Sequence, residues 1–299
     1  ALLNYLHKPG RVQFAGGEPF ASPILFDAIR YARELGMAVR VLSNGTLASD
    51  EICQKLKEAG CYIVQVSIEG KKKTNDFIRM KGSYKKALEG MKLMREHGIE
   101  ITVAMTLSRA NFQDIEHVFK LASRYSNRIG FHRLVPIGTG KSMEKDMLSP
   151  EELLACYEKI LLLKKEYPEL DVPLRDPLWQ SYISKSQQKS VTGCSAGYNG
   201  LCIGSNGDVY PCRRLPVKIG NVFEESLIDL WHHEIMKNLR ERSLRKGECG
   251  ECESRNICGG CPGIAYGITG DYMASDPQCL KKLKPDSRIK DFSFCDMVS

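Results

Sequence analysis

The sequence predicts an α/β fold with a parallel sheet, followed by a smaller region rich in cysteine. Three observations carry this prediction. The first half alternates strand-like and helix-like segments, most of the 12 cysteines fall in the second half, and 299 residues can form one large core or two ordinary ones. Changes in composition predict domains at residues 1–148 and 194–299, joined by a helix and a polar linker within 149–193.

The elements of the first half follow from their apolar periodicity. Short apolar or alternating runs predict strands, and apolar residues spaced three or four apart predict helices that end at glycine. Five strands separated by helices imply right-handed βαβ units and therefore a parallel sheet. The predicted strands are 12–15, 39–42, 62–68, 99–107 and 129–135, and the predicted helices are 23–35, 50–60, 84–97, 114–124 and 150–167.

Two local details are also predicted. Ser149 and Glu152 form a capping box at the start of the last of these helices. The segment between the third strand and the helix at 84–97 is expected to be a polar loop, in which the lysines at 71–73 are solvated.

Polar turns follow the first three strands, at residues 16–19, 43–46 and 67–70. Because the carboxyl ends of parallel strands meet at one edge of a sheet or barrel, these turns are expected to lie side by side. That edge is where β/α folds bind their ligands. The turns therefore predict a binding site.

Charge and targeting signals narrow the class of protein. A net charge of +7 suits an anionic ligand but is too small to indicate nucleic-acid binding. No apolar run reaches the roughly 18 residues that predict a membrane span, and the first ten residues do not resemble a signal peptide. We therefore expect a cytoplasmic protein, in which clustered cysteines bind metal rather than form disulfides.

The spacing of the cysteines favours iron–sulfur clusters over zinc. Zinc ribbons commonly separate their cysteine pairs by about 15–20 residues, whereas only five residues lie between Cys252 and Cys258. Iron–sulfur clusters accept such tight runs and use four thiolates each. Two all-cysteine zinc sites remain the alternative. The candidate ligands are Cys194, Cys202, Cys212, Cys249, Cys252, Cys258, Cys261 and Cys279.

The chain resembles the radical S-adenosylmethionine (radical SAM) enzymes that carry a C-terminal SPASM domain. The Gly-Gly-Glu-Pro sequence at 16–19 looks like their GGEP motif, and the cysteine array, with Gly207 five positions before Cys212, looks like their SPASM extension. Further similar stretches are VSIEG at 66–70, IRMKGSY at 78–84 and IGNV at 219–222. The resemblance implies a partial TIM-like (β/α)6 barrel without its first strand, then a SPASM domain with two clusters.

The resemblance also assigns residues to S-adenosylmethionine. Gly16, Gly17 and Glu18, followed by Pro19, are expected to meet the amino group of its methionyl part. The remaining candidates are expected to contact its ribose and carboxylate; they are Ser43, Asn44, Ser67 and Arg79. Glu69 stands where the family usually has aspartate, which leaves a ribose contact at that position open.

For the two auxiliary [4Fe–4S] clusters, the resemblance implies interleaved ligand sets. One set is Cys194, Cys202, Cys212 and Cys261, and the other is Cys249, Cys252, Cys258 and Cys279. Spacing alone would have put the tight run of 249–261 on one site. Four cysteines receive no role: Cys53, Cys61, Cys156 and Cys295.

The motif with which radical SAM enzymes hold their S-adenosylmethionine-cleaving cluster, Cys-x3-Cys-x2-Cys, does not occur in the 299 residues. In the family it precedes the GGEP strand. Leu2, Leu3 and Leu6 look like the end of the first barrel helix, so we expect the motif, and a third [4Fe–4S] cluster, upstream of Ala1. A member that has lost radical chemistry is the alternative. Residues 1–299 alone are not expected to cleave S-adenosylmethionine.

The resemblance implies an oxidoreductase-type maturase that generates a 5′-deoxyadenosyl radical to modify a peptide or protein. The alternative substrate is the propionate side chain of a haem-pathway tetrapyrrole, since Arg213 and Arg214 after Cys212 suit carboxylates. Sulfatase maturases have aspartate where Arg213 stands, which disfavours that activity. An electron donor such as flavodoxin or ferredoxin is implied, without nucleic acid or membrane. A non-catalytic iron–sulfur protein is the alternative of another class.

Overall fold

The computed structural model describes residues 10–182 and 193–283. Their contacts divide the chain into two compact units. The barrel unit contains the described residues up to His132 together with Lys159–Pro173, and the cysteine-rich unit contains Arg133–Glu158 and the residues from Leu174 onward. The expectations for Leu2, Leu3, Leu6 and Cys295 lie outside the described residues.

The barrel unit is built on a five-stranded sheet whose spatial order follows the chain. Its strands are β1 (Arg11–Phe14), β2 (Ala38–Ser43), β3 (Ile63–Ser67), β4 (Glu100–Leu107) and β5 (Arg128–Arg133). The pairs from β1 to β4 are parallel, with Val41 opposite Val64 and Val66 opposite Val103. Strands in chain order with helices between them form part of a β/α barrel, as predicted.

Helices cover the sheet between its strands. They are α1 (Leu25–Glu34), α2 (Asp50–Glu58), α3 (Lys72–Ile78), α4 (Ser83–Glu96) and α5 (Ile115–Tyr125). Each of the four longer ones buries one apolar stripe, represented by Ile29, Leu56, Met91 and Phe119. Because most of β4 is buried, it reads as a nearly continuous apolar run, as parallel strands do.

The predicted polar loop at 71–83 was wrong in part, because the structure forms α3 there. The lysines at 71–73 are exposed, as expected. The helix begins after Lys71, whose backbone N–H donates to Asp114 Oδ2 at 2.9 Å. Thr74 on the first turn donates its hydroxyl to the same oxygen at 2.7 Å. A carboxylate 40 residues downstream organises the helix start, and local periodicity cannot register such a contact.

The cysteine-rich unit has a small antiparallel sheet and short helices. Its strands are β6 (Cys202–Ile203), β7 (Asp208–Tyr210) and β8 (Gly220–Asn221). Their core contains Val209, Ile219, Leu230 and Met236. The helices that follow are α8 (Leu227–Trp231), α9 (Glu234–Arg240), α10 (Gly247–Glu251) and α11 (Pro262–Thr269).

The remaining helices are α6 (Pro150–Glu166) and α7 (Trp179–Tyr182). The predicted capping box is confirmed, since the backbone N–H of Ser149 donates to Glu152 Oε2 at 2.7 Å and that of Glu152 donates to Ser149 Oγ at 3.2 Å. The polar linker predicted within 149–193 corresponds to residues 181–192. Its first two residues lie in α7, and the others lie outside the described ranges. None of the helices described here is long and apolar enough to cross a membrane.

Candidate functional site

The turn after β1 exposes its backbone. Gly16 has a φ of +149°, which L side chains rarely adopt. A Cβ added at Gly16 or Gly17 would meet no atom within 4 Å outside the neighbouring residues, so the space at both positions is open. A small cation can approach the carbonyl groups of such a turn, which fits the ammonium group of S-adenosylmethionine.

Glu18 joins this turn to the one after β2. Its Oε1 accepts the hydroxyl of Ser43 at 2.7 Å, and its Oε2 accepts the backbone N–H of Asn44 at 2.8 Å. Asn44 in turn accepts the backbone N–H of Thr46 through Oδ1 at 2.8 Å. Three of the predicted site residues therefore form one hydrogen-bonded group at the carboxyl edge of β1 and β2.

A second group lies at the carboxyl ends of β3 and β4. Buried Glu69 pairs with Arg79, with Oε1 and Nη2 at 2.5 Å, and accepts the backbone N–H of Thr106 at 2.8 Å. Ser67, the last residue of β3, is half-buried. Only Nη2 of Arg79 makes this contact and its side chain is 28% exposed, so guanidinium donors stay available for a carboxylate ligand.

Asp114 is a buried carboxylate beside the turn after β3 that the sequence did not single out. Besides Lys71 and Thr74, it packs against Gly70, where an added Cβ would lie 2.6 Å from its Oδ2. Although burial opposes ionisation, hydrogen bonds from Thr74 and Lys71 hold the pKa of Asp114 below its usual value. A short polar residue soon after β4 was the available signal, because that position lies near the ligand-binding edge.

In one predicted ligand set, Cys194 and Cys212 pack against the same small core of the cysteine-rich unit. Burial, followed by the charges of Cys261 and Cys212, raises the pKa of Cys194 to about 12. Burial and the charge of Cys212 likewise raise the pKa of Cys202. Such thiols remain protonated at neutral pH unless a bound metal replaces the proton. The group is therefore suited to a metal centre.

The other predicted ligand set lines one cavity. Its four thiols are those of Cys249, Cys252, Cys258 and Cys279. Burial raises the pKa of Cys258 to about 12, and burial with the charges of Cys249 and Cys252 raises the pKa of Cys279. Arg255 and Lys281 also line the cavity. The second predicted set thus lines one cavity, and in the first set Cys194 lies near Cys212 and Cys261.

The donor set of these groups fits iron–sulfur clusters. Each predicted set offers four thiolates, and a four-iron cluster takes one thiolate on each iron. Among the described residues, no three Cys, His, Asp or Glu side chains stand together as ligands of a single metal ion.

Arg213 and Arg214 directly follow Cys212 in the sequence. Cys212 belongs to the first cysteine group, which is the predicted set Cys194, Cys202, Cys212 and Cys261; the second cysteine group is the set that lines the cavity. Arg213 is exposed and Arg214 is half-buried, and neither guanidinium has a hydrogen bond or salt bridge to the described part of the chain. Burial opposes the charge of Arg214, but the thiols of Cys261 and Cys212 raise its pKa. Two cationic groups thus stand beside this cysteine group with their donors free for an anion.

Three cysteines without an assigned role are buried. Burial raises the pKa of Cys53 to about 11 and that of Cys156 to about 12, and it also raises the pKa of Cys61. These thiols have the character of packed core residues.

Family models match two stretches of the chain. The Radical SAM superfamily model covers residues 2–122, and the SPASM iron–sulfur cluster-binding domain covers residues 194–262. An AdoMet-dependent heme synthase of Methanosarcina barkeri is 32% identical over 287 residues, which cover 89% of this chain and 81% of that protein. The chain belongs to the radical SAM superfamily. As a member it is an enzyme whose cofactors are S-adenosylmethionine and [4Fe–4S] clusters.

Other relatives of this radical SAM enzyme are more varied. An Fe-coproporphyrin III synthase of M. barkeri is 30% identical and covers 90% of this chain and 75% of that protein. The mycofactocin maturase MftC of Mycobacterium ulcerans is 25% identical, and the similarity covers 90% of this chain and 74% of that protein. The solved structure of Streptococcus suis SuiB with S-adenosylmethionine has a TM-score of 0.72 at 19% identity and covers 90% of this chain and 66% of SuiB, which establishes a shared fold.

Proposed function

We propose that the protein acts on the propionate side chains of an iron-containing tetrapyrrole. The observation that carries this proposal is the similarity to AdoMet-dependent heme synthase, which extends over 89% of the chain at 32% identity. The Fe-coproporphyrin III synthase supports it at 30% identity, whereas the mycofactocin maturase is 25% identical. The peptide substrate that the sequence analysis favoured becomes the second candidate.

The cofactors divide the work with the protein. S-adenosylmethionine and a reduced [4Fe–4S] cluster supply, when bound, an acceptor for one hydrogen atom of the side chain, and the auxiliary clusters supply an acceptor for the electron left when the carboxylate departs as carbon dioxide. The protein binds S-adenosylmethionine and the substrate and orients them. In this proposal, Gly16 and Gly17 receive the ammonium group of S-adenosylmethionine, Glu18 braces their turn against Asn44, and Arg79 binds the carboxylate.

Arg213 and Arg214 bind substrate propionates in this proposal. Their guanidinium groups carry planar sets of N–H donors that match a carboxylate, and they have no hydrogen bond or salt bridge to the described residues to exchange for it. Their position after Cys212 would hold a propionate next to the auxiliary cluster that accepts an electron. The eight cysteines are the proposed ligands of the two auxiliary clusters, in the two groups described above.

A binding experiment tests the substrate class. Iron coproporphyrin III, titrated anaerobically into the protein, should shift its Soret band and saturate, and its tetramethyl ester should bind far more weakly because it offers no carboxylate. Arg213→Ala and Arg214→Ala should each weaken binding about tenfold, the effect of one charge-assisted hydrogen bond. Lys218→Ala is the control, because this exposed lysine pairs with Asp208. Equal binding of the acid and the ester would contradict the proposal.

Turnover by the full-length protein completes the test. With S-adenosylmethionine and a one-electron reductant, each converted propionate should lose one carbon dioxide and two hydrogen atoms, detected by mass spectrometry. Modification of a peptide, with no binding of the tetrapyrrole, would favour the second candidate. That candidate is supported by the mycofactocin maturase, whose similarity covers 90% of the chain.

A further inference from the structure

Arg133, the last residue of β5, is the centre of a buried ionic network in the cysteine-rich unit. Its side chain is 1% exposed. Its Nε donates to Asp176 Oδ2 at 2.8 Å, and its Nη1 and Nη2 donate to the two oxygens of Asp276 at 3.0 and 2.9 Å. Nη1 also donates to Gln278 Oε1 at 3.0 Å. One cation thus stands between two buried carboxylates, and the positive charge of Arg214 also acts on Asp176.

Such a network is costly to bury unless every charge is paired and hydrogen-bonded. Burial opposes the charge of Arg133, but Asp176 and Asp276 raise its pKa well above the ordinary value. The side-chain amide of Gln278 donates to the carbonyl of Leu148 at 2.8 Å, so this neutral member is also satisfied. The network has a fixed geometry because each hydrogen bond restricts the next.

Asp276 connects the network to the first cysteine group. Its Oδ2 accepts the backbone N–H of Cys261 at 2.9 Å, in addition to the guanidinium of Arg133. Its side chain also packs on Gly260, where an added Cβ would lie 2.8 Å from the Cβ of Asp276. The carboxylate is 1% exposed, so water screens its charge poorly.

The same network reaches the second cysteine group. Gln278, which accepts from Arg133, directly precedes Cys279, and its backbone N–H donates to Asp276 Oδ1 at 3.0 Å. Asp176 accepts the backbone N–H of Leu178 at 2.9 Å, and Leu178 lines the cavity of that group. The backbone carbonyl of Asp276 accepts the N–H of Cys279 at 3.3 Å, so Asp276 contacts one predicted ligand of each group.

We propose that Asp276, held by Arg133, is a positioning residue shared by the two auxiliary clusters, and that its negative charge lowers the reduction potential of the cluster bound through Cys261. The proposal rests on the grouping of the cysteines given under the proposed function. A buried negative charge beside a cluster disfavours the added electron, since reduction makes the cluster more negative. The backbone hydrogen bond to Cys261 fixes the distance at which this charge acts.

The replacement Asp276→Asn tests the charge while it keeps the size of the side chain. The asparagine oxygen can still accept the backbone N–H of Cys261. We expect the variant to keep both clusters and to show a higher midpoint potential for one of them, measured by redox titration followed by electron paramagnetic resonance. Asp271→Asn is the matched control, because that carboxylate pairs with Lys246 at the surface of the same unit. Unchanged potentials in Asp276→Asn would overturn the proposal.

If Asp276→Asn loses iron, a second variant tests the proposed effect of charge on the midpoint potential. Gln278→Glu keeps an oxygen for Arg133 but replaces the amide that donates to the Leu148 carbonyl, so it adds a negative charge only where the new carboxyl is ionised. The proposal requires a midpoint potential that falls below that of the unchanged protein as the pH rises, and a potential that stays the same or rises at every pH would refute it. Failure of the cysteine grouping is seen separately, because Cys261→Ala and Cys252→Ala would then not each remove the iron of one cluster, whatever Asp276 does.

Discussion

Glu69 holds Arg79, the residue proposed to bind the carboxylate of S-adenosylmethionine. Its buried carboxylate contacts both Arg79 Nη2 and the backbone N–H of Thr106, so it ties a loop arginine to the end of β4. Glu69 stands where the family has an aspartate, and sequence reasoning left its ribose contact open. The structure engages both of its oxygens within the protein. This residue therefore orients the arginine that is proposed to bind the carboxylate of S-adenosylmethionine.

Glu69→Gln should raise the dissociation constant of S-adenosylmethionine about tenfold. The amide can still accept from Thr106, but it loses the charge-assisted bond that orients Arg79, and a tenfold change corresponds to about 1.4 kcal/mol. Anaerobic titration calorimetry measures this dissociation constant. Glu51→Gln, which breaks an exposed pair with Lys55, should leave binding unchanged. Tighter binding in Glu69→Gln would mean that Glu69 competes with the cofactor for Arg79.

His117 predicts a pH dependence in the barrel unit. Its Nε2 lies 2.8 Å from the hydroxyl of Tyr84, and burial lowers its pKa below 6.5. The unfolded chain therefore takes up a proton at higher pH than the folded one. Stability should be greatest above about pH 6.5, and it should fall as the pH drops from there through the folded pKa.

Urea unfolding between about pH 7.5 and pH 5.5 measures this slope. His117→Gln keeps a hydrogen-bonding partner for Tyr84 but does not titrate, so part of the slope should disappear. Identical slopes for the two proteins would exclude His117 as the source.

At the scale of elements, α4 is pressed against the turn that follows β2. A Cβ at Gly90, in the middle of α4, would lie 2.3 Å from the carbonyl oxygen of Gly45 and 2.9 Å from the Cβ of Ala48. Glycine is unfavourable inside a helix by about 1 kcal/mol relative to alanine. This contact explains why glycine stands there, since only a bare backbone allows the helix so close to the turn that carries Asn44.

Gly90→Ala should therefore destabilise the protein by about 1–2 kcal/mol, because overpacking outweighs the gain in helix propensity. It should also weaken the binding of S-adenosylmethionine, since the turn must move. Thermal unfolding and calorimetry measure the two effects. Lys92→Ala lies on the exposed side of the same helix and should change neither. If Gly90→Ala were more stable than the unchanged protein, the turn after β2 would be able to move without loss of stability, and the prediction would be wrong.

At the scale of the whole molecule, the two groups of candidate residues occupy separate units. The residues proposed for S-adenosylmethionine lie in the barrel unit, and the eight proposed cluster ligands lie in the cysteine-rich unit. Binding of a metal cluster to cysteine ligands is coupled to folding, so the clusters are expected to contribute to the stability of their own unit.

Cys252→Ala should remove about four irons from protein reconstituted anaerobically, because a [4Fe–4S] cluster does not persist without one of its ligands. Cys156→Ala is the matched control, a buried thiol outside both groups, and it should remove none. Iron analysis with the visible spectrum measures both. Equal loss from the two variants would refute the ligand assignment, and bound zinc without iron would refute the clusters.

The parallel sheet and the family could be predicted because their signals are local. The strand periods, the Gly-Gly-Glu-Pro turn at 16–19 and the cysteine spacings each lie within a few residues. Helix α3 could not, because Asp114 organises its start from 40 residues away. Glu69 could not be assigned either, since its partners Arg79 and Thr106 come from two other segments.

By itself, the sequence determined the α/β class, the membership of the radical SAM superfamily, the cofactors and the candidate residues, since these depend on short patterns and on residue chemistry. Only the tertiary structure decided which residues share a site. It joined Glu18 to Ser43 across two strands, and it joined Arg133 to Asp276 across 143 residues. Such contacts depend on how the chain returns on itself, because a buried charge must find its partner wherever the fold brings one.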